Sequence, residues 1–201
     1  MKYNTETSVH QVSTQSLDNL VFLDIETTGL NPSNGAKIIE IAMLKILNGK
    51  QQQYQTLVNP EILIPRECSR IHHIYDNMVK TAPYFRHIVK DVISFLSGSV
   101  VVCHNASFDL LFVHKELHDA EYFLKDIYYI DTLHIARRYF CFKSNKLCNI
   151  AKTLGINVKQ NHRAMADVLT TLSVANYLFK DMYEREIKLI LPNSYQYTPN
   201  K

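Results

Sequence analysis

The chain opens on a polar stretch, Met1 to Asp18, rich in Ser, Thr, Asn and Gln and without apolar periodicity. That composition predicts a flexible arm over 1–18. An apolar run then starts abruptly at Leu20-Val21-Phe22-Leu23. It ends in Asp24-Ile25-Glu26, ahead of the turn-prone Gly29-Leu30-Asn31-Pro32. This reads as a buried strand emptying into a loop. Lys37 to Leu47 follows, rich in β-branched residues, and Asn48-Gly49 is a strong hairpin turn. Gln51 to Val58 returns as a third strand, so an antiparallel meander is expected first.

The second half alternates. A short helix is expected from Pro65 through Arg70. Pro83 then stands where a helix N-terminus accepts it. Phe85, Ile88, Val89, Val92, Ile93 and Leu96 recur at helical spacing, and Gly98 ends that helix. Val100 to Cys103 is a short apolar strand, and Ser107 is placed to cap the next helix, which carries Leu110, Leu111, Val113 and Leu117. Tyr128-Tyr129-Ile130 is another strand, running into Asp131 and a helix to about Tyr139. Helices then fit Lys146 to Leu154 and Arg163 to Phe179. Strands alternating with helices imply parallel or mixed pairing. The expected architecture is one α/β domain over 19–180, a mixed five-stranded central sheet flanked by helices. A tail over 181–201 is expected to form a final helical segment and a frayed end.

Composition narrows the class a little. At 201 residues the chain can bury a core, and 46% hydrophobic with 20% charged residues is ordinary for a globular domain. A net charge of +3 permits a nucleic-acid partner without arguing for one. The cysteines Cys68, Cys103, Cys141 and Cys148 form no C-x-x-C pair, which disfavours structural zinc and points to reduced thiols. No stretch approaches a membrane span and no apolar leader is visible, so a cytoplasmic protein with no membrane partner is expected.

Three segments carry candidate chemistry. Asp24 and Glu26, two apart in a strand, project to the same side. Two like charges at the end of a buried strand are costly unless a cation neutralises them, and no Lys or Arg stands beside them in sequence. Hard divalent cations such as Mg²⁺ and Mn²⁺ suit such oxygen ligands. Asp109, in His104-Asn105-Ala106-Ser107-Phe108-Asp109, falls in the first turn of a helix that follows an apolar strand. That position faces the carboxyl ends of the sheet, where α/β domains collect ligands. His162 stands just before a helix whose second turn is expected to carry Asp167. A loop histidine is the residue type expected of a general base. Taken singly, each segment has a plainer explanation: a solvated strand end, an acid favouring a helix dipole, a surface histidine beside a helical aspartate. Together they supply four carboxylates and a proton acceptor, the inventory of two-metal phosphodiester cleavage.

The order Asp24-x-Glu26-Thr27-Thr28-Gly29, then His104-Asn105-x-x-Phe108-Asp109, then His162-x-x-x-x-Asp167, resembles the DEDDh (DnaQ-like) 3′→5′ exonucleases. That group includes the proofreading epsilon subunit of bacterial DNA polymerase III. Ile38-Ile39-Glu40-Ile41-Ala42, Val58-Asn59-Pro60, Asp131-Thr132-Leu133 and Leu154-Gly155-Ile156 extend the likeness from Val21 to Phe179. The resemblance implies a ribonuclease-H-like fold, with two divalent cations (Mg²⁺ or Mn²⁺) on Asp24, Glu26, Asp109 and Asp167, and His162 as the base. It further implies that Glu26, Thr27, Glu67 and His72 meet the terminal nucleotide. Where the family often has Gly after the residue matching His72, this chain has His73-Ile74-Tyr75. The expected function is release of nucleoside 5′-monophosphates from DNA 3′ ends, in proofreading or repair. The expected partners are single-stranded DNA or frayed 3′ ends, and a DNA polymerase subunit. RNA trimming by the same chemistry, a non-catalytic polymerase- or strand-binding module, and a small-molecule phosphohydrolase are the alternatives.

Overall fold

Apolar side chains leave the first strand, β1 (Asn19–Thr27), in both directions, so it must be covered on both faces. Val21, Leu23 and Ile25 pack into one core, and Leu20 and Phe22 into the other. The structure is a computed structural model that describes residues 19–124, 127–157 and 162–187, together with the backbone of 193–195. The expected arm over 1–18 lies outside the described residues.

β2 (Ile38–Leu47) and β3 (Lys50–Leu57) complete the meander. Asn48 (φ 50°) and Gly49 (φ 73°) both take positive φ, the geometry of a tight hairpin turn that matches strand twist. Leu47 accordingly pairs with Lys50. β4 (Val100–Cys103) and β5 (Ile127–Asp131) add to β1 in parallel. The sheet order is β3-β2-β1-β4-β5-β6, so the five expected strands form a mixed sheet and a sixth extends it. The sixth, β6 (Asn193–Tyr195), pairs antiparallel with β5 and covers its otherwise open edge. Asn-Ser-Tyr is too short and too polar to announce a strand, which is why a frayed end was expected there.

Helices α1 (Arg66–His72), α2 (Asp76–Val79), α3 (Phe85–Leu96), α4 (Ala106–Asp119), α5 (Thr132–Tyr139), α6 (Leu147–Thr153) and α7 (Ala164–Glu184) surround the sheet. α3 and α4 cover the face holding Val21 and Leu23, and α5, α6 and α7 cover the face holding Phe22. The boundary expected at Lys180 falls inside α7, which continues to Glu184. The one-turn α2 was not expected, since four residues show no period. Asp76 fixes it by accepting a hydrogen bond from the Ile64 N–H at 3.0 Å. Ser107 does not cap α4. The residue before that helix is Asn105, in the left-handed region, whose N–H is instead given to Asp131 Oδ1 at 3.0 Å. The four cysteines carry free thiols.

His73 follows α1, at φ 58°, donating its N–H to Ser69 O at 2.9 Å. This is the position where helices prefer glycine, because a Cβ strains the left-handed backbone. His73→Gly is expected to stabilise the fold by about 1 kcal/mol. Thermal unfolding should therefore rise by about 3 °C. An unchanged or lower midpoint would show that the His73 side chain offsets its backbone strain.

Candidate active site

Parallel pairing sends the carboxyl ends of β1, β4 and β5 to one edge of the sheet. The two-residue strand period puts Asp24 and Glu26 on the same face as Leu20 and Phe22, toward α7. Asp167 meets them there, from the first turn of α7 rather than the expected second turn. Ligand atoms of Asp24, Glu26 and Asp167 all lie within 4.8 Å of one another. Asp109 comes from the opposite layer, on the first turn of α4, and is only 4% exposed. It stands outside that set of three, but its carboxylate accepts the N–H of Ile25, the residue between Asp24 and Glu26. The sheet thus brings the four sequence-predicted carboxylates to one place from three chain segments.

Their electrostatics follow from this crowding. Burial pushes Asp24 well above the usual carboxylate range, and the charges of Asp109, Asp167, Glu26 and Glu40 push it further. Burial, Asp167 and Glu40 raise Glu26 to about 8, against a smaller opposing effect of Arg163. Burial also raises Asp109, despite N–H bonds from its own backbone and Ile25. It raises Asp167 too, offset in part by the His162 N–H and by the histidine's charge. Groups that cannot all ionise together call for positive charge, and oxygen donors of this kind fit hard divalent cations.

His162 is exposed at the edge of this cluster, at φ 58°, with its N–H donated to Asp167 Oδ2 at 3.0 Å. Thr27 is buried and donates to Gly29 O at 2.6 Å. Gly29 itself passes so close to Ala36 that a Cβ would stand 3.2 Å from the alanine Cβ. Glu67 is exposed on the first turn of α1. His72 is buried, and its Nδ1 accepts the Ile74 N–H at 3.0 Å, which leaves the proton on Nε2. That buried Nε2 has no hydrogen-bond partner among the described residues. Burial lowers its pKa, favouring the neutral ring. His104 does not join the carboxylates. Its ring nitrogens sit 2.9 Å from Thr132 Oγ1 and 2.9 Å from Asn145 O, tying β4 to α5 and the segment before α6.

Sequence reasoning missed one pair. Glu40 on β2 stands opposite Glu26 in the strand register and is 1% exposed. Arg163, the residue after His162, grips it with Nε to Oε2 at 3.0 Å and Nη2 to Oε1 at 2.8 Å. The two are far apart in the chain, so spacing carries no signal. The only hint was a glutamate interrupting the apolar run Ile38-Ile39-Glu40-Ile41.

A mixed sheet of this order, with helices on both faces and half-buried carboxylates converging at the strand ends, defines a ribonuclease-H-like nuclease domain. The chain belongs to the exonuclease family, whose family model matches residues 21–175. That family depends on divalent metal, which suits the acidic cluster. Among relatives, the PolC-type DNA polymerase III of Clostridium perfringens is 37% identical over 83% of this chain. The 3′-5′ exonuclease DinG of Bacillus subtilis is 34% identical over 86%. This chain spans only 12% and 18% of those proteins. It spans 79% of the DNA polymerase III epsilon subunit of Buchnera aphidicola (Schizaphis graminum), with 31% identity over 88% of this chain. The solved structure of Exonuclease X with 5′ overhanging duplex DNA superposes with a TM-score of 0.63 at 28% identity, covering 81% of this chain and 92% of that one. Escherichia coli Exonuclease I with a dT13 oligonucleotide gives 0.74 at 16% identity, covering 84% of this chain and 42% of that one, a likeness of fold. No helix among the described residues is long and apolar enough to cross a membrane.

The raised carboxyls set a pH dependence. Glu26 has a folded pKa of about 8 against an ordinary 4.5, so the unfolded chain releases that proton first as pH rises. Stability of the metal-free protein is therefore greatest below about pH 4.5 on this account, and falls as pH rises toward 8. The loss is at most about 5 kcal/mol. In chelator, the unfolding midpoint should drop between pH 5 and pH 8, and Glu26→Gln should flatten the slope. Added Mn²⁺ should raise the midpoint more at pH 8 than at pH 5, because ligands must be deprotonated to bind. A flat profile in the wild type would contradict the crowding.

Proposed function

We propose that this protein is a metal-dependent 3′→5′ exonuclease that releases nucleoside 5′-monophosphates from DNA 3′ ends, in proofreading or repair. The observation that carries the proposal is the convergence of Asp24, Glu26 and Asp167 within one ligand-sized space, with buried Asp109 against their strand and His162 at the edge. Asp24, Glu26, Asp109 and Asp167 would hold two divalent cations, Mg²⁺ or Mn²⁺, which supply Lewis-acid stabilisation of the entering and leaving oxygens in phosphodiester hydrolysis.

The protein's own groups do the rest. His162 takes the proton of the attacking water, and its exposure leaves the ring free to reach it. Thr27, Glu67 and His72 meet the terminal nucleotide, with Glu26 beside them. The Nε2–H of His72, buried and without a partner among the described residues, is a donor that an oxygen of that nucleotide would satisfy. Relatives named as DNA polymerase III epsilon, PolC-type polymerase and DinG favour DNA as the polymer. The epsilon relative, most of whose length this chain matches, favours single-stranded or frayed 3′ ends and a polymerase subunit as partner. The same replication relatives favour a cytoplasmic location.

Matched single-stranded DNA and RNA oligonucleotides, labelled at the 5′ end, test the reading with Mg²⁺, Mn²⁺ or chelator. A metal-dependent ladder shortening from the 3′ end of DNA is expected, and Asp24→Ala should abolish it. His162→Ala should slow the chemical step by roughly 10²–10⁴-fold while leaving Mn²⁺ binding in place. A ladder on RNA alone would reassign the polymer. No ladder on either would favour a binding module or a small-molecule substrate.

A further inference from the structure

We propose that Arg163 is a positioning residue for His162, acting through a buried clamp on Glu40. This rests on the reading of His162 as the base. Glu40 is saturated: Oε1 accepts from Gln55 Nε2 at 2.9 Å and from Arg163 Nη2 at 2.8 Å, and Oε2 from Arg163 Nε at 3.0 Å and from the Ala164 N–H at 3.1 Å. One carboxylate from the second strand thus caps the first turn of α7 and grips the side chain of the residue before it. Capping alone needs only the Ala164 bond. The two-pronged grip on Arg163 adds something else: it fixes the chain immediately after His162.

His162 needs that hold. Its φ of 58° is a backbone conformation that a residue with a Cβ keeps only when its surroundings impose it. On one side its own N–H is tied to Asp167 Oδ2. On the other, Arg163 is tied to Glu40 across the sheet. His162 is thereby referenced to Asp167, within the acidic cluster, and to β2, which carries Glu40 opposite Glu26. Glu40, although it lies beside the cluster, is committed to Arg163, Gln55 and Ala164 and lies outside the set of converging ligand atoms. A lysine would keep the charge of Arg163 but cannot reproduce a planar two-pronged grip.

The test compares wild type, His162→Ala, Arg163→Lys and the His162→Ala/Arg163→Lys double variant, by kcat and KM on labelled single-stranded DNA and by direct titration of Mn²⁺. Arg163→Lys should lower kcat by roughly tenfold to a hundredfold, the scale of a misplaced catalytic group. KM and Mn²⁺ affinity should stay within about twofold, since neither binding step uses the clamp. In the His162→Ala background the same substitution should cost nothing more, because a residue acting through the base has no effect once the base is gone. Glu40→Gln should repeat the loss of kcat and its absence in the His162→Ala background, and serves on those two readouts if Arg163→Lys does not fold. Mn²⁺ affinity is not its criterion, because the Glu40 charge also acts on Asp24, Glu26 and Asp167. Equal slowing in both backgrounds, weakened Mn²⁺ binding, or full activity of Arg163→Lys beside an inactive His162→Ala would overturn the clamp alone. Full activity of His162→Ala would overturn the base itself, and the clamp with it.

Discussion

Carboxylates crowded at the end of a buried strand repel one another, and the rest of the site is arranged around that repulsion. Asp24 and Glu26 cannot separate, because the strand period fixes them on one face. Asp109 and Asp167 are brought against them by helices from opposite layers of the sheet. Burial removes the water that would otherwise screen them, so their acids are raised and the assembly wants positive charge. A fold that keeps such a cluster intact carries a cost in stability. In an exonuclease domain, whose family depends on divalent metal, that cost accompanies an acidic cluster suited to such cations.

Among the described residues, Glu40 is the member of this acidic neighbourhood that holds an arginine ion pair. Glu40 has the arginine fork, the Gln55 amide and a helix N–H, and these bonds hold it below the ordinary carboxylate range even though burial acts the other way. The contrast with Glu26, its partner across the strand pair, is instructive. Neighbours in register, both largely buried, they differ because one is fully hydrogen-bonded and the other faces further acids. Glu40 and the clustered carboxylates are thus told apart by what saturates them, not by residue type or strand position.

Among relatives the chain matches both a near full-length epsilon subunit and small segments of much larger polymerases and of DinG. What differs between DNA and RNA readers is the pocket around the terminal sugar. In this chain α1 carries Glu67 on its first turn, His72 buried at its end and His73 in the strained position after it.

Much of this was legible in the sequence, because it rests on local rules. Leu20 to Leu23 announced a buried strand by unbroken apolarity, Asn48-Gly49 announced a hairpin through positive φ, and α3 showed its packed face by spacing. Asp24, Glu26, Asp109, His162 and Asp167 were visible as residues of the right type in the right order. Other features depended on contacts between distant segments. The Glu40–Arg163 fork joins residues that only the sheet and α7 bring together. Strand β6 exists because β5 offers an open edge, and its own three residues carry no strand signal. Asn105 rather than Ser107 precedes α4 because Asp131, on the next strand, takes its N–H. The sequence by itself determined most of the elements and which residue types could do chemistry, since propensity and periodicity act over a few residues, while α2 and β6 waited on distant contacts. Tertiary structure alone decided which charges face each other and which are saturated, because electrostatics and hydrogen bonding depend on distance in space, not along the chain.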